Sequence, residues 1–139
     1  MKKILISTLV IVVILGYFFI FKKTAAVVRW DDACEKELTV KGKKIEVCVA
    51  DTKDTRTQGL SNTSKLSKGK GMLFVFDKVG KYTFWMKDMN YAIDILWLDE
   101  NMNEVFRTSN ALPSDFPATY VSEIPAKYIL EVNPGEIPE

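Results

Sequence analysis

Four carboxylates lie in or beside apolar runs: Asp88, Asp94, Glu123 and Glu131. Burial in such runs weakens an acid, which makes these residues candidates for acid–base work or for reading a ligand. Asp94 interrupts Ile93-Asp94-Ile95-Leu96-Trp97-Leu98 and, by strand alternation, shares a face with Leu96 and Leu98. Glu131 stands in the same relation to Ile129 within Tyr128-Ile129-Leu130-Glu131-Val132. Arg56 beside either acid would form a charge-assisted bidentate pair, bracing a cleft or holding an anionic ligand. Trp85 points away from Tyr82 and Phe84, and an indole beside carboxylates suits stacking on a sugar ring or a flat ligand. Each residue also has a structural role open to it. The acids can bond backbone amides or a cation of the wall, and the tryptophan can be core.

The chain contains no histidine. Serine triads with histidine, histidine-ligated zinc and H-E-x-x-H chemistry are therefore excluded. Cys34 and Cys48 are too few for a four-cysteine zinc site. Neither a G-x-x-x-x-G-K-[ST] loop nor a G-x-G-x-x-G turn is present. Met72, Met86 and Met89 offer thioether sulfur suited to Cu(I), but core packing accounts for them, so neither a metal nor a cofactor is expected. Asn62-Thr63-Ser64 matches a glycosylation acceptor, a pattern frequent by chance.

The elements that must position these residues read as strands. Glu37 to Val40 and Ile45 to Ala50 flank Lys41-Gly42-Lys43-Lys44, a hairpin with Gly42 in its turn. With Lys41 and Gly42 as loop residues, Val40 faces Lys43 and Glu35 faces Cys48. Cys34 then lies one position from direct opposition, which permits a disulfide without demanding one. Asp51 or Thr52 caps a short helix through Gln58, ended by Gly59. The segment 62–70 is a polar loop with Leu66 as its inward anchor. Met72 to Phe76, bounded by Gly71 and Asp77, is a strand buried on both faces. Further strands cover 82–86, 92–98, 104–109 and 127–132, while Pro113 and Pro117 make 111–119 a loop over one end of the sheet. Six or seven short strands and one helix predict a mainly β domain, a small partly open β-barrel or sandwich.

Residues 36–139 form that domain, behind a juxtamembrane linker at 24–35 and an N-terminal segment at 1–23. From Ile4 to Phe21 the chain is apolar apart from Ser7, Thr8, Gly16 and Tyr17, and none of these is charged. As a helix the run is about 27 Å long, close to the roughly 30 Å hydrocarbon core. A cleaved signal peptide competes with a retained anchor. The length of the run and Lys22-Lys23 favour a single-pass transmembrane anchor. Flanking lysines are nearly balanced and do not set orientation. The even cysteine count is compatible with one disulfide in an extracytoplasmic domain, with a pair of free core thiols as the alternative. After Lys23 the chain carries fifteen basic and eighteen acidic residues, about −3, so nucleic acid is not an expected partner.

The ordered string Ala50-Asp51-Thr52, Arg56, Gly59-Leu60, Gly71-Met72-Leu73-Phe74-Val75-Phe76, Phe84-Trp85-Met86-Lys87, Ile93-Asp94-Ile95-Leu96, Leu130-Glu131-Val132 and Gly135 resembles the DUF192 family, also called UPF0127. The resemblance runs from about Leu38 to Gly135. It implies a compact, mainly β single domain, commonly behind a signal or anchor segment, with no settled activity. It also marks Arg56, Gly59, Trp85, Met86, Lys87, Asp94 and Glu131 as matching polar, aromatic and turn positions, and a shared pocket is expected if they cluster. Two departures stand out. This chain reads Gly59-Leu60-Ser61 and then Thr63, where members have Gly-Leu-Met and soon an Arg; it also ends at Glu139 without a further strand, which predicts a more open barrel.

Three functions remain. The first is a membrane-tethered binding module for a small polar or carbohydrate-like ligand, held by Arg56, Trp85, Lys87, Asp94 and Glu131. The second is a two-carboxylate hydrolase or lyase of the cell envelope. The third is an interaction domain whose polar residues only brace the fold.

Overall fold

The structure, a computed structural model, describes residues 34–139. The expected N-terminal anchor and most of the linker lie outside the described residues. Eight strands and one short α-helix follow in the described residues: β1 (Lys36–Val40), β2 (Lys43–Ala50), α1 (Lys53–Gln58), β3 (Lys70–Gly80), β4 (Thr83–Trp85), β5 (Ile93–Leu98), β6 (Glu104–Ala111), β7 (Thr119–Val121) and β8 (Ala126–Val132). The domain is mainly β, as expected.

The hairpin has the anticipated register, with Val40 opposite Lys43. Lys41 and Gly42 both take positive φ, 46° and 75°, the backbone that a two-residue turn between right-twisted strands requires. Cys34 lies just before β1 and is disulfide-bonded to Cys48, joining the chain ahead of β1 to the middle of β2. Helix α1 starts at Thr52, whose hydroxyl accepts from the Thr55 amide while the Thr55 hydroxyl accepts from the Thr52 amide. Gly59, at φ 48°, ends it.

Six strands form one sheet in the order β1-β2-β3-β8-β5-β6, and β4 pairs with β7 in a separate two-stranded ribbon. All pairings are antiparallel except β2 with β3, which α1 connects as a crossover. The last strand in the chain therefore sits between β3 and β5, near the middle of the sheet. Its alternation divides two cores. Ile129 faces Met72, Phe74, Ile95 and Trp97 on one side, whereas Leu130 and Val132 join Val40, Ile45, Val47, Leu73, Leu96 and Leu98 on the other.

The sheet is not closed into a barrel, which corrects the expectation of a partly open one. Its edge strands β1 and β6 share no backbone ladder. Side chains and the C-terminal segment link them instead. Lys41 reaches Glu104 at 3.2 Å, and Arg107, paired with Glu104, donates to the carbonyls of Ile137 and Pro138. Ile137 is fully buried in the second core. The predicted strand at 82–86 shortens to Thr83–Trp85. Its partner β7 went unpredicted because it is three residues long and follows Pro113 and Pro117.

β3 and β8 meet most closely at Gly71. A Cβ there would lie 2.8 Å from the Glu131 carbonyl oxygen and 2.9 Å from a Val132 methyl, and the first is main chain that cannot swing aside. Gly71→Ala is predicted to lower unfolding free energy by about 1–3 kcal/mol, the usual range for overpacking. Urea denaturation checks this. An unchanged midpoint would mean that the seam can widen freely.

Candidate functional site

Helix α1 and the β4–β7 ribbon both cover the same face of the six-stranded sheet, and a pocket of about 300 Å³ opens between them. One wall is Lys53, Arg56, Thr57 and Gln58 of α1, with Gly59 to Ser61. The facing wall is Tyr82, Thr83, Phe84 and Trp85 with Met89, and the sheet contributes Phe74, Phe76 and Glu131. The two walls are tied together past Gly59. The Ser61 hydroxyl donates to the Lys87 carbonyl at 2.9 Å, and the Asn62 amide donates to the Asp88 carbonyl at 2.7 Å.

Aromatic packing fixes the walls. Tyr82 stacks on Phe76 with ring centres 3.5 Å apart, and Phe84 meets Phe74 edge-on at 4.9 Å. Inner-face packing of Phe84 sends its neighbour Trp85 outward, where it is 50% exposed at the pocket rim. Gly59 lets the chain pass close to the pocket floor, since a Cβ there would stand 3.3 Å from the tip of Phe74.

Glu131 is the chemical centre of this pocket. It is only 4% exposed, and its cross-strand neighbours are Met72 on β3 and Ile95 on β5. Its carboxyl takes no hydrogen-bond partner among the described residues, and burial alone pushes its pKa up to about 8. At neutral pH it is chiefly the uncharged acid, with one O–H donor and a carbonyl acceptor facing the cavity. Buried polar groups normally have a partner. The small exposure that Glu131 keeps is to the pocket it lines.

Arg56 does not pair with either acid. Its Nη1 donates to the carbonyls of Asp51 and Val75, and the guanidinium lies 5.1 Å from the Phe76 ring centre. It braces the helix wall against β3. Lys87 lies just outside, in a groove of about 460 Å³ that it lines with Lys53, Asp54, Thr57, Gln58, Ser61, Asn62, Trp85 and Asp88.

The structure separates Asp94 from the other four. It pairs across the ladder with Val132, on the opposite face of the sheet from Glu131. Its two oxygens accept from the amides of Asn110 and Gly135, each at 2.8 Å, which pins the end of β6 and the chain after β8 to β5. Asn110, at φ 54°, is the turned residue thus held. Of the five sequence-predicted residues, Arg56, Trp85 and Glu131 share the pocket, Lys87 borders it, and Asp94 lies across the sheet. Sequence reasoning did not pick out Leu60, Phe76, Tyr82, Phe84 or Met89 as pocket wall. Their types signal burial, and nothing local says which aromatics face a cavity.

The DUF192 family model, described as an uncharacterized ACR, matches residues 36–139. The chain belongs to this family. Two solved structures share the fold. A protein from Sinorhizobium meliloti 1021, solved under a provisional assignment as a transcription regulator, is 27% identical with a TM-score of 0.66, over 72% of this chain and 79% of that one. A protein of unknown function from Novosphingobium aromaticivorans DSM 12444 is 22% identical with a TM-score of 0.62, over 82% and 88%. No curated protein matches the chain. This DUF192 domain thus has relatives of known structure and no activity transferred from them.

The Glu131 environment makes stability depend on pH with a definite sign. The folded-state pKa is raised from 4.5 to about 8, so between those values the folded protein holds a proton that the unfolded chain has lost. This contribution is present in full below about pH 4.5 and is lost as pH rises to about 8, by up to about 1.4 kcal/mol per pH unit. Urea denaturation from pH 5 to pH 8 should show falling stability in the native chain, and a shallower slope in Glu131→Gln. Equal slopes would show that Glu131 ionises at its ordinary pKa.

Proposed function

We propose that this DUF192 domain is a membrane-tethered, extracytoplasmic binding module that takes a small uncharged, hydroxyl-bearing ring, such as a sugar, into the pocket between α1 and the ribbon. The observation that carries the reading is the buried carboxyl of Glu131, without a protein partner, among the aromatic side chains that line the cleft. A neutral carboxyl both donates and accepts, as a ligand hydroxyl does. The half-exposed indole of Trp85 offers a stacking face at the rim, and the cleft volume falls at the lower end of the ~300–1,000 Å³ range of small-molecule sites.

A two-carboxylate hydrolase is less well supported. Such chemistry places two acids about 5 to 9.5 Å apart on either side of one bond. Glu131 is the only carboxylate lining this pocket among the described residues, and Asp94 is committed to backbone amides on the other face. A purely structural reading leaves a largely desolvated acid without a protein partner, at a cost of about 1–3 kcal/mol. The net negative charge of the chain after Lys23 gives no support to nucleic-acid binding. Tethering and an outside location rest on the apolar run from Ile4 to Phe21 and on the Cys34–Cys48 disulfide, a bond that persists in oxidising compartments.

Calorimetric titration of the full-length chain with glucose, N-acetylglucosamine and inorganic phosphate tests the proposal. Saturable binding of at least one sugar is expected, with phosphate silent, and Trp85→Ala should weaken it about tenfold, near 1.4 kcal/mol. Binding of phosphate alone, or sugar affinity unchanged in Trp85→Ala, contradicts it.

A further inference from the structure

Strand directions bring the start of the domain and three exposed aliphatic side chains to one end of the sheet. β1, β8 and β6 begin at the end where β2, β3 and β5 finish. The chain enters β1 from this end, through Cys34, which the disulfide holds to Cys48 of β2. Val79 near the end of β3, Val121 at the end of β7 and Ile124 just before β8 are each 41–52% exposed. The register draws them together: Gly80 pairs with Ala126, Thr83 pairs with Val121, and Lys81 bridges to Glu123 at 2.7 Å. Both turns are braced. The Tyr82 hydroxyl donates to the Lys78 carbonyl, while the buried Ser122 hydroxyl donates to the Ile124 carbonyl at 2.8 Å and accepts from the Ile124 amide at 3.0 Å. The main chain around Val79 and Ile124 is therefore held with their side chains in solvent. Single apolar residues on a surface need no explanation, but three on two cross-braced turns mark a contact site.

We propose that this end of the sheet seats on the bilayer that holds the chain's own apolar run, with Val79, Val121 and Ile124 entering the boundary between headgroups and acyl chains. This rests on the tethering reading and adds an orientation to it. Residues 22–33 separate the run ending at Phe21 from Cys34, at most about 40 Å of extended chain, comparable to the roughly 35 Å length of β3. So short a tether keeps the domain at high effective concentration beside the lipid, and a weak contact suffices. A second copy or another protein would need more, since a stable interface takes about 20–30 residues a side. Lys78, Lys81 and Lys127 are nearly balanced by Asp77 and Glu123, so the contact depends on apolar burial rather than on anionic headgroups. Leu112 is also exposed, but it follows β6 at the opposite end of the sheet, away from the side on which the chain enters β1. Seating through Val121 also suits the pocket. Trp85 pairs with Thr119 at the other end of the ribbon from Val121, which leaves the pocket rim in water.

The test places the full-length chain, with methyl-labelled Ile, Val and Leu, in nanodiscs of neutral lipid that carry a gadolinium chelate on a few headgroups, one copy per disc. The methyl signals of Val79, Val121 and Ile124 should be attenuated severalfold more than that of Leu112, which is 40% exposed at the opposite end. Anionic lipid should leave this contrast in place. The double variant Val121→Ser, Ile124→Ser, altered only at exposed positions, should keep its urea midpoint and lose the contrast at Val79. A chain that does not enter the discs overturns the tethering reading. A chain that enters but is attenuated equally at both ends, or more at Leu112, overturns the seating alone, as does contrast that survives in the double variant. Contrast seen only with two copies per disc assigns the patch to a second copy, and contrast confined to anionic lipid assigns it to the lysines; either result overturns seating by apolar burial.

Discussion

Strand β8 is made last and placed near the middle, and the rest of the domain depends on that insertion. Until it pairs with β3 and β5, no backbone ladder joins the β1–β2–β3 unit to the β5–β6 hairpin. Its alternation then supplies Ile129 to one core and Leu130 and Val132 to the other, closing both in the same step. Gly71 is the position where β3 yields space for this fit. The long sequence separation between β8 and its partners is the kind of non-local pairing that slows folding.

The same strand delivers Glu131. A residue that alternates with Ile129 on a central strand must face a covered side of the sheet, so its carboxyl is desolvated by construction. Removing it in favour of an apolar residue would favour the fold, since no protein group rewards the acid for being there. Stability and site chemistry therefore pull in opposite directions at one position, as expected where a buried polar group serves a ligand. Asp94 is the contrast. Burial is similar, at 2% against 4% exposure, yet two backbone amides meet its oxygens and it ties β6 and the chain after β8 to β5.

Most of the fold was legible because its signals are local. The turn at Lys41-Gly42, the Thr52 cap, the Gly59 stop, the apolar strand around Phe74 and the Leu66 anchor all follow from propensity and alternation. The open sheet was not, because closure depends on which edges meet. Here Lys41, Glu104, Arg107 and the tail around Ile137 link the edges without a ladder. Ribbon β4–β7 was half seen, since three-residue strands have too little period to register. The site was legible as residue types: an acid within Tyr-Ile-Leu-Glu-Val and a tryptophan out of phase with its neighbours. Its membership was not. Asp94 and Glu131 look alike in sequence, and only register places them on opposite faces, while Arg56 found carbonyls rather than an acid because Asp51 and Val75 lie within its reach.

Binding in this pocket depends on Glu131 being a neutral, ligand-facing acid. Carboxyl carbon NMR of selectively labelled protein, titrated from pH 4 to pH 10 without and then with a bound sugar, reads that group directly. The expected midpoint lies near pH 8 in the free protein and moves higher when sugar binds to the protonated form. A midpoint near the ordinary 4.5, or one that sugar does not move, would contradict it.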